Sequence, residues 1–180
     1  MANSKKINIG ILGGSFDPAH KGHLIISKIA IKNKKLKKVY WIVTKKNPFK
    51  RKSFFSLKER LKSARRLVKN LKKIQVLYLD DKIKSSRSID VITYILKKKK
   101  PKSLYFIVGS DILLELHKWK SWKKIVKLTK LIVFYRRGYD KRSKNTTVSK
   151  YINKNNITYI KNKPIKISST LLRKKIKITN

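Results

Sequence analysis

Ile7-Asn8-Ile9-Gly10-Ile11-Leu12-Gly13-Gly14-Ser15-Phe16-Asp17-Pro18-Ala19-His20-Lys21-Gly22-His23 is the stretch from which the fold can be read. Its first six residues are a short apolar run, and the paired glycines turn the chain, so residues 7–12 read as a buried strand. After the turn, residues 22–31 place Leu24, Ile25 and Ile29, with Ile26 at their edge, on one side of a helix. The same alternation recurs downstream. Residues 39–44 (VYWIVT) read as a second strand, and residues 45–56 as a polar loop containing Pro48. Residues 57–71 carry apolar side chains at 57, 61, 64, 67, 68 and 71, the stripe of an amphipathic helix. Further strands read at 74–79, 104–108, 131–135 and 157–160, with a helix at 88–99. Strands alternating with helices imply βαβ crossovers and a doubly wound, mainly parallel α/β sheet.

The glycine turn is also where chemistry is expected, because ligands of open parallel sheets bind beyond the carboxyl ends of the strands. Gly13 and Gly14, continued by Ser15 and Phe16, let the backbone approach a phosphate closely and offer N–H groups to it. His20 and His23 stand three apart at a helix start and face the same way, and Gly22 leaves room between them. Two of the chain's three histidines sit in this one motif. A turn whose histidines only cap a helix is the plainer reading; the strand and the G-G-S-F-D-P run before them argue against it. No G-x-G-x-x-G and no G-K-[ST] occurs, which sets aside a dinucleotide-cofactor site and a P-loop.

A second segment lies near the C-terminus, Ile167-Ser168-Ser169-Thr170-Leu171-Leu172-Arg173. Three consecutive hydroxyl residues make a good helix N-cap. The free N–H groups there attract anions, and Arg173, one turn on, can fork onto phosphate oxygens. Alone this is equally a capped terminal helix. With the first segment it looks like the second half of a triphosphate cradle.

Composition narrows the classes. A length of 180 residues fits one domain spanning 1–180, with a real core, and 41% hydrophobic residues exclude a disordered chain. With no cysteine there is no disulfide framework, zinc-thiolate site or thiol nucleophile. No apolar leader follows Met1 and no run is long enough to span a bilayer, so a cytoplasmic protein without membrane contact is expected. The net charge of +42 would suggest a nucleic-acid partner. Only nine of the fifty basic residues are Arg, however, and lysines lie along nearly every helix and loop beside abundant Ile and Asn. Those three residue types share A/T-rich codons, so codon composition explains the bias, with non-specific nucleic-acid adhesion as a side effect.

The motifs together resemble the nicotinate-mononucleotide adenylyltransferases of the HxGH nucleotidyltransferase superfamily. The resemblance rests on G-G-S-F-D-P-x-H-x-G-H and I-S-S-T-x-x-R, supported by Asn47-Pro48-Phe49-Lys50, Ser88-Ile89-Asp90, Phe106-Ile107-Val108-Gly109-Ser110-Asp111, Trp119 and Arg137-Gly138-Tyr139. It runs from about residue 7 to 176. It implies a Rossmann-like nucleotidyltransferase fold and transfer of AMP from ATP to nicotinate mononucleotide, giving nicotinate adenine dinucleotide and pyrophosphate. His20, His23 and Arg173 would be catalytic. Gly13, Gly14, Ser15, Phe16, Gly109, Asp111, Ser168, Ser169 and Thr170 would bind ATP, and Lys50, Ser88 and Trp119 the mononucleotide. Ser88 stands where the family more often has Thr, Arg87 where an aromatic is common, and Phe49 where many members have His.

The nucleophile implied is already a phosphate anion, so no general base is required and the task is charge neutralisation. Mg2+ would be held mainly by the ATP phosphates, since acidic groups are few, and no protein metal site is expected. Other HxGH enzymes, acting on nicotinamide mononucleotide or phosphopantetheine, are the nearest alternatives. A class I aminoacyl-tRNA synthetase fragment lacks its K-M-S-K-S-like loop here, and a basic nucleic-acid-binding module leaves both phosphate motifs unexplained. Trp119 and Trp122, at helical spacing, would otherwise be packing residues. Asp111 would otherwise cap a helix. His117 reads as an ordinary surface histidine, Asp80 and Asp81 as loop residues, and Lys97 to Lys100 as a solvated helix end.

Overall fold

The computed structural model describes residues 6–45, 53–162 and 167–179. Strand Asn8–Gly14 (β1) leads into helix Lys21–Asn33 (α1), followed by Lys38–Val43 (β2), Leu57–Val68 (α2), Ile74–Leu77 (β3) and Asp80–Ile83 (α3). Next come Ser88–Lys99 (α4), Ser103–Gly109 (β4) and Ser110–Glu115 (α5). After a 3-10 turn at Leu116–Lys118 the chain continues through Trp122–Leu128 (α6), Lys130–Phe134 (β5), Asp140–Ser143 (α7), Thr147–Tyr151 (α8), Ile157–Ile160 (β6) and Ser169–Thr179 (α9).

The strands form one sheet in the order β3-β2-β1-β4-β5-β6, and every neighbouring pair is parallel. Each expected strand is present, its ends within two residues of the boundaries read from the sequence. Alternation along the strands builds two cores. Tyr40, Ile42, Leu104, Phe106, Val108, Leu131 and Val133 pack against α4, α6 and α8 on one face. Val39, Trp41, Val43, Tyr105, Ile107, Ile132 and Phe134 pack against α1 and α2 on the other. A sheet covered on both faces must bury both sets of side chains, which is why its strands read as continuous apolar runs.

The chain winds outward from β1 through β2 to β3, then returns to the other side of β1 for β4, β5 and β6. The direction reverses between β1 and β4, and the crevice beyond their carboxyl ends is the expected ligand site. This is the Rossmann-type strand order.

Several details depart from the expectation. Ile25 is 41% exposed, whereas Ser27 and Ala30 form the buried side of α1 with Gly22. Ser27 is tolerated in the core because its hydroxyl accepts the Trp41 indole N–H at 2.8 Å. Helix α2 ends at Val68 rather than residue 71, because the Leu71 N–H bonds back to the Val68 carbonyl in a turn that feeds β3. Helices α3, α7 and α8, of four or five residues, are too short to show periodicity and were not expected. Lys97 to Lys100 are exposed at the end of α4, as read. Among the described residues no helix is long and apolar enough to cross a membrane.

Candidate active site

The paired glycines do not turn the chain as read: Gly13 and Gly14 are the last residues of β1, paired with Ile42 and Val43. The end of the strand and the turn after it are held from outside at nearly every carbonyl. Gly14 accepts the Thr44 N–H at 3.1 Å, Ser15 accepts Arg60 Nη1 at 2.7 Å, Asp17 accepts Arg173 Nη1 at 2.6 Å and Pro18 accepts the Ser169 hydroxyl at 2.9 Å. In a trans peptide the C=O and N–H point in opposite directions. Fixing the carbonyls of Gly14, Ser15 and Pro18 therefore aims the N–H groups of Ser15, Phe16 and Ala19 the other way. Gly13 has open space where a side chain would stand, so the backbone there is approachable.

His20 and His23 do cap α1, and in doing so they are oriented. His20 Nδ1 accepts the Gly22 N–H at 3.1 Å, while the His20 N–H donates to His23 Nδ1 at 3.2 Å. This is a capping box with imidazoles as both acceptors. A neutral ring whose Nδ1 accepts carries its proton on Nε2, so each presents an Nε2–H donor away from the helix. The rings lie 4.0 Å apart. Burial first, and the charge of Arg136 second, lower the His20 pKa from 6.5 to about 4, which keeps it neutral at pH 7. The plainer reading and the functional one are thus the same geometry.

Phe16 adopts a left-handed backbone (φ 49°), and its side chain is buried, stacked on Trp41 at 5.2 Å and against His23 at 4.7 Å. The ring is a platform under His23, which leaves the Phe16 backbone as the part that faces a ligand. Asp17 is also buried, its carboxylate accepting the N–H groups of Phe54 and Phe55, each at 2.9 Å.

The second segment docks on the first. Of its three hydroxyls only Ser168 caps α9, accepting the Leu171 N–H at 3.2 Å. Ser169 reaches Pro18, and Thr170 Oγ1 accepts Arg173 Nη2 at 3.1 Å. The expected three-residue cap is therefore one cap and two tethers. Arg173 spends part of its fork on the Asp17 carbonyl and stands 3.7 Å from the Asp17 carboxylate. A guanidinium has five N–H groups, so further donors remain for a ligand.

On the other side of the crevice, Gly109 ends β4 and Asp111 is the second residue of α5. Arg136, just past β5, pairs its Nη1 with Asp111 Oδ2 at 3.0 Å, and its backbone N–H donates to the Ser110 hydroxyl at 2.8 Å. A side chain at Gly109 would collide with Asp111 Oδ1 and lie 2.9 Å from Arg136 Nε. A larger residue at 109 would have to displace the two side-chain ends that pass over it. Ser88 is the half-buried first residue of α4, whose start is braced by the Ser85 hydroxyl donating to Asp90 at 2.6 Å. Trp119 is half-buried, its ring edge-on to Phe106 at 6.2 Å. It follows the 3-10 turn while Trp122 starts α6, so the two are not on one helix. Lys50, with Asn47, Pro48 and Phe49, lies outside the described residues.

Two minor readings are corrected. Asp80 is a buried helix residue, its Oδ2 accepting the Thr44 hydroxyl at 2.9 Å and the Lys45 N–H at 2.8 Å, and Asp81 accepts the Tyr78 hydroxyl at 2.7 Å. His117 is half-buried within the 3-10 turn, with Nδ1 enclosed. Sequence reasoning missed Arg60, Arg136 and the structural part of Asp17. Arg60 had one visible signal, a cation four residues before Ala64 on the buried side of α2.

Comparison with known proteins gives a consistent answer. The cytidylyltransferase-like family model matches residues 11–175. The "Probable nicotinate-nucleotide adenylyltransferase" of Pelagibacter ubique is 46% identical over 172 residues, 96% of this chain and 95% of that one. The protein of the same name from Nitratiruptor sp. is 36% identical over 134 residues, 74% of this chain and 76% of that one. Among solved structures, Plasmodium falciparum nicotinic acid mononucleotide adenylyltransferase complexed with NaAD superimposes with a TM-score of 0.75 at 23% identity, over 93% of this chain and 83% of that chain.

Proposed function

Because the chain belongs to the cytidylyltransferase-like family, among its nicotinate-nucleotide adenylyltransferases, we propose that the crevice between β1 and β4 carries that reaction here. The enzyme transfers AMP from ATP to nicotinate mononucleotide and so serves NAD biosynthesis. A phosphate oxygen of the mononucleotide bonds to the α-phosphorus of ATP, the bond from that phosphorus to the bridging oxygen breaks, and pyrophosphate leaves. We read residues 1–180 as one nucleotidyltransferase domain.

The observation that carries the site reading is the docking of residues 168–173 onto residues 13–23. It brings Arg173, the two Nε2–H donors and the aimed peptide N–H groups to one turn. We assign Gly13, Gly14, Ser15, Ser168, Ser169 and Thr170 to the ATP phosphates, and Gly109 and Asp111 to its ribose. His20, His23 and Arg173 act on the charge that builds on the leaving pyrophosphate. A neutral His20 suits this work, since a preorganised donor stabilises developing charge without a proton transfer. Ser88, at the start of α4, and Trp119 form the mononucleotide end, with Lys50 assigned to its phosphate from the sequence motif.

Members of this family generally use a divalent cation, and magnesium carried by the ATP phosphates is our assignment. Among the described residues no three His, Asp or Glu side chains converge to cage an ion. Asp17 and Asp111 are each engaged by an arginine. Magnesium dehydrates reluctantly and is commonly bound through substrate phosphates while keeping several waters.

Pyrophosphate release with ATP and, in turn, nicotinate mononucleotide, nicotinamide mononucleotide and phosphopantetheine tests the reading. The acid mononucleotide should give the highest kcat/KM. An anionic carboxylate bonds more strongly to N–H donors than a carboxamide, which would leave a donor unpaired at about 1–3 kcal/mol. Equal rates with acid and amide would overturn the substrate assignment; no release with any of them would overturn the whole reading.

A further inference from the structure

Arg60 is an unexpected occupant of its position. With Ala64 and Val68 it forms the buried side of α2, and it is 2% exposed. An apolar side chain would pack there without the cost of desolvating a charge. Instead the guanidinium grips four main-chain carbonyls. Nη1 donates to Ser15 at 2.7 Å and Thr44 at 2.8 Å, Nη2 to Lys45 at 3.2 Å and Nε to Phe55 at 3.2 Å. Burial lowers its pKa, and the carboxylates of Asp17 and Asp80 oppose that shift. Those carboxylates bind the same segments through their N–H groups: Asp17 holds Phe54 and Phe55, and Asp80 holds Lys45 and the Thr44 hydroxyl. One cation and two anions thus lock the turn after β1, the end of β2 and the start of α2 into one unit.

The peptide between Ser15 and Phe16 shows what the lock achieves. Arg60 draws its carbonyl toward the β2 side, so the planar peptide turns its N–H the opposite way. We propose that Arg60 is a positioning residue for AMP transfer, aiming the Phe16 N–H at the triphosphate without touching substrate. This inference rests on the reading that the turn receives ATP phosphates.

Arg60→Lys is the test variant, because it keeps the charge facing Asp17 and Asp80 while a single ammonium cannot reach four carbonyls in the same directions. Misplacing reacting groups by about an ångström costs on the order of a hundredfold. The variant should lose about that in kcat at 25 °C, with a raised KM for ATP and a nearly unchanged KM for the mononucleotide. A lowered Tm with wild-type kcat, or equal damage to both KM values, would make Arg60 merely structural and overturn the proposal. Should the variant not fold, hydrogen exchange on the wild-type enzyme decides. ATP should slow the amides of Ser15 and Phe16 together with those of Lys45, Phe54 and Phe55; protection confined to the turn overturns the coupling. A wild-type enzyme that releases no pyrophosphate defeats the functional reading instead, and is separable from a failure of Arg60 alone.

Discussion

Arg173 donates to the main-chain carbonyl of Asp17 at 2.6 Å, joining two residues 156 positions apart in sequence. The contact makes the C-terminal helix part of the turn after β1. It also sets which way the guanidinium faces, since Thr170 holds its other end. Arg173→Ala should lower kcat/KM for ATP by roughly ten- to a hundredfold, the cost of a hydrogen bond to a charged group at about 1.5–3 kcal/mol. Arg173→Lys should recover only part, lacking the planar fork. Steady-state kinetics at varied ATP check this; wild-type kinetics in Arg173→Ala would leave it a tether only.

His20 should titrate near pH 4 when followed by NMR. Its pKa is depressed below the unfolded value of 6.5, so between the two the unfolded chain binds more protons. The stability contribution is therefore complete above 6.5 and is lost as pH falls toward 4. Turnover that needs neutral His20 should likewise stay level down to about pH 5 and then fall. Arg136→Gln removes the second cause and should raise the midpoint, though not to 6.5, because burial remains. A wild-type midpoint at 6.5 would contradict the geometry.

His23→Ala should lower kcat by roughly a hundred- to a thousandfold, the usual loss on removing one preorganised donor. Its ring also rests on Phe16 at 4.7 Å and near Trp41 at 5.8 Å, so a fall of a few degrees in Tm is expected as well. Circular dichroism separates the two effects. A folded variant with near-normal turnover removes His23 from the mechanism.

Trp119→Ala should weaken mononucleotide binding by about 1–3 kcal/mol and leave ATP binding little changed, by analogy with base–aromatic stacking. Because the ring also packs on Phe106, Trp119→Phe is the control that keeps an aromatic face. Binding of each substrate should be titrated separately. Equal weakening of both in Trp119→Ala, uncorrected in Trp119→Phe, would make Trp119 a packing residue.

Much of this protein was legible from local pattern. The strands, α1, α2 and α4 announce themselves because a two-sided sheet needs unbroken apolar runs and a covering helix needs a stripe. The G-G-S-F-D-P-x-H-x-G-H turn falls at the carboxyl end of β1 because the strand before it and the helix after it leave no other place. The docking of Ser169 and Arg173 on Pro18 and Asp17, the burial of Phe16 and the pairing of Arg136 with Asp111 over Gly109 could not be read that way. Nor could the grip of Arg60 on four carbonyls. Each depends on side chains and peptide groups that are distant in sequence, and periodicity reports only which face of one element is apolar. The strand order alone decides that β1 and β4 are neighbours, and hence that turns separated along the chain share one crevice.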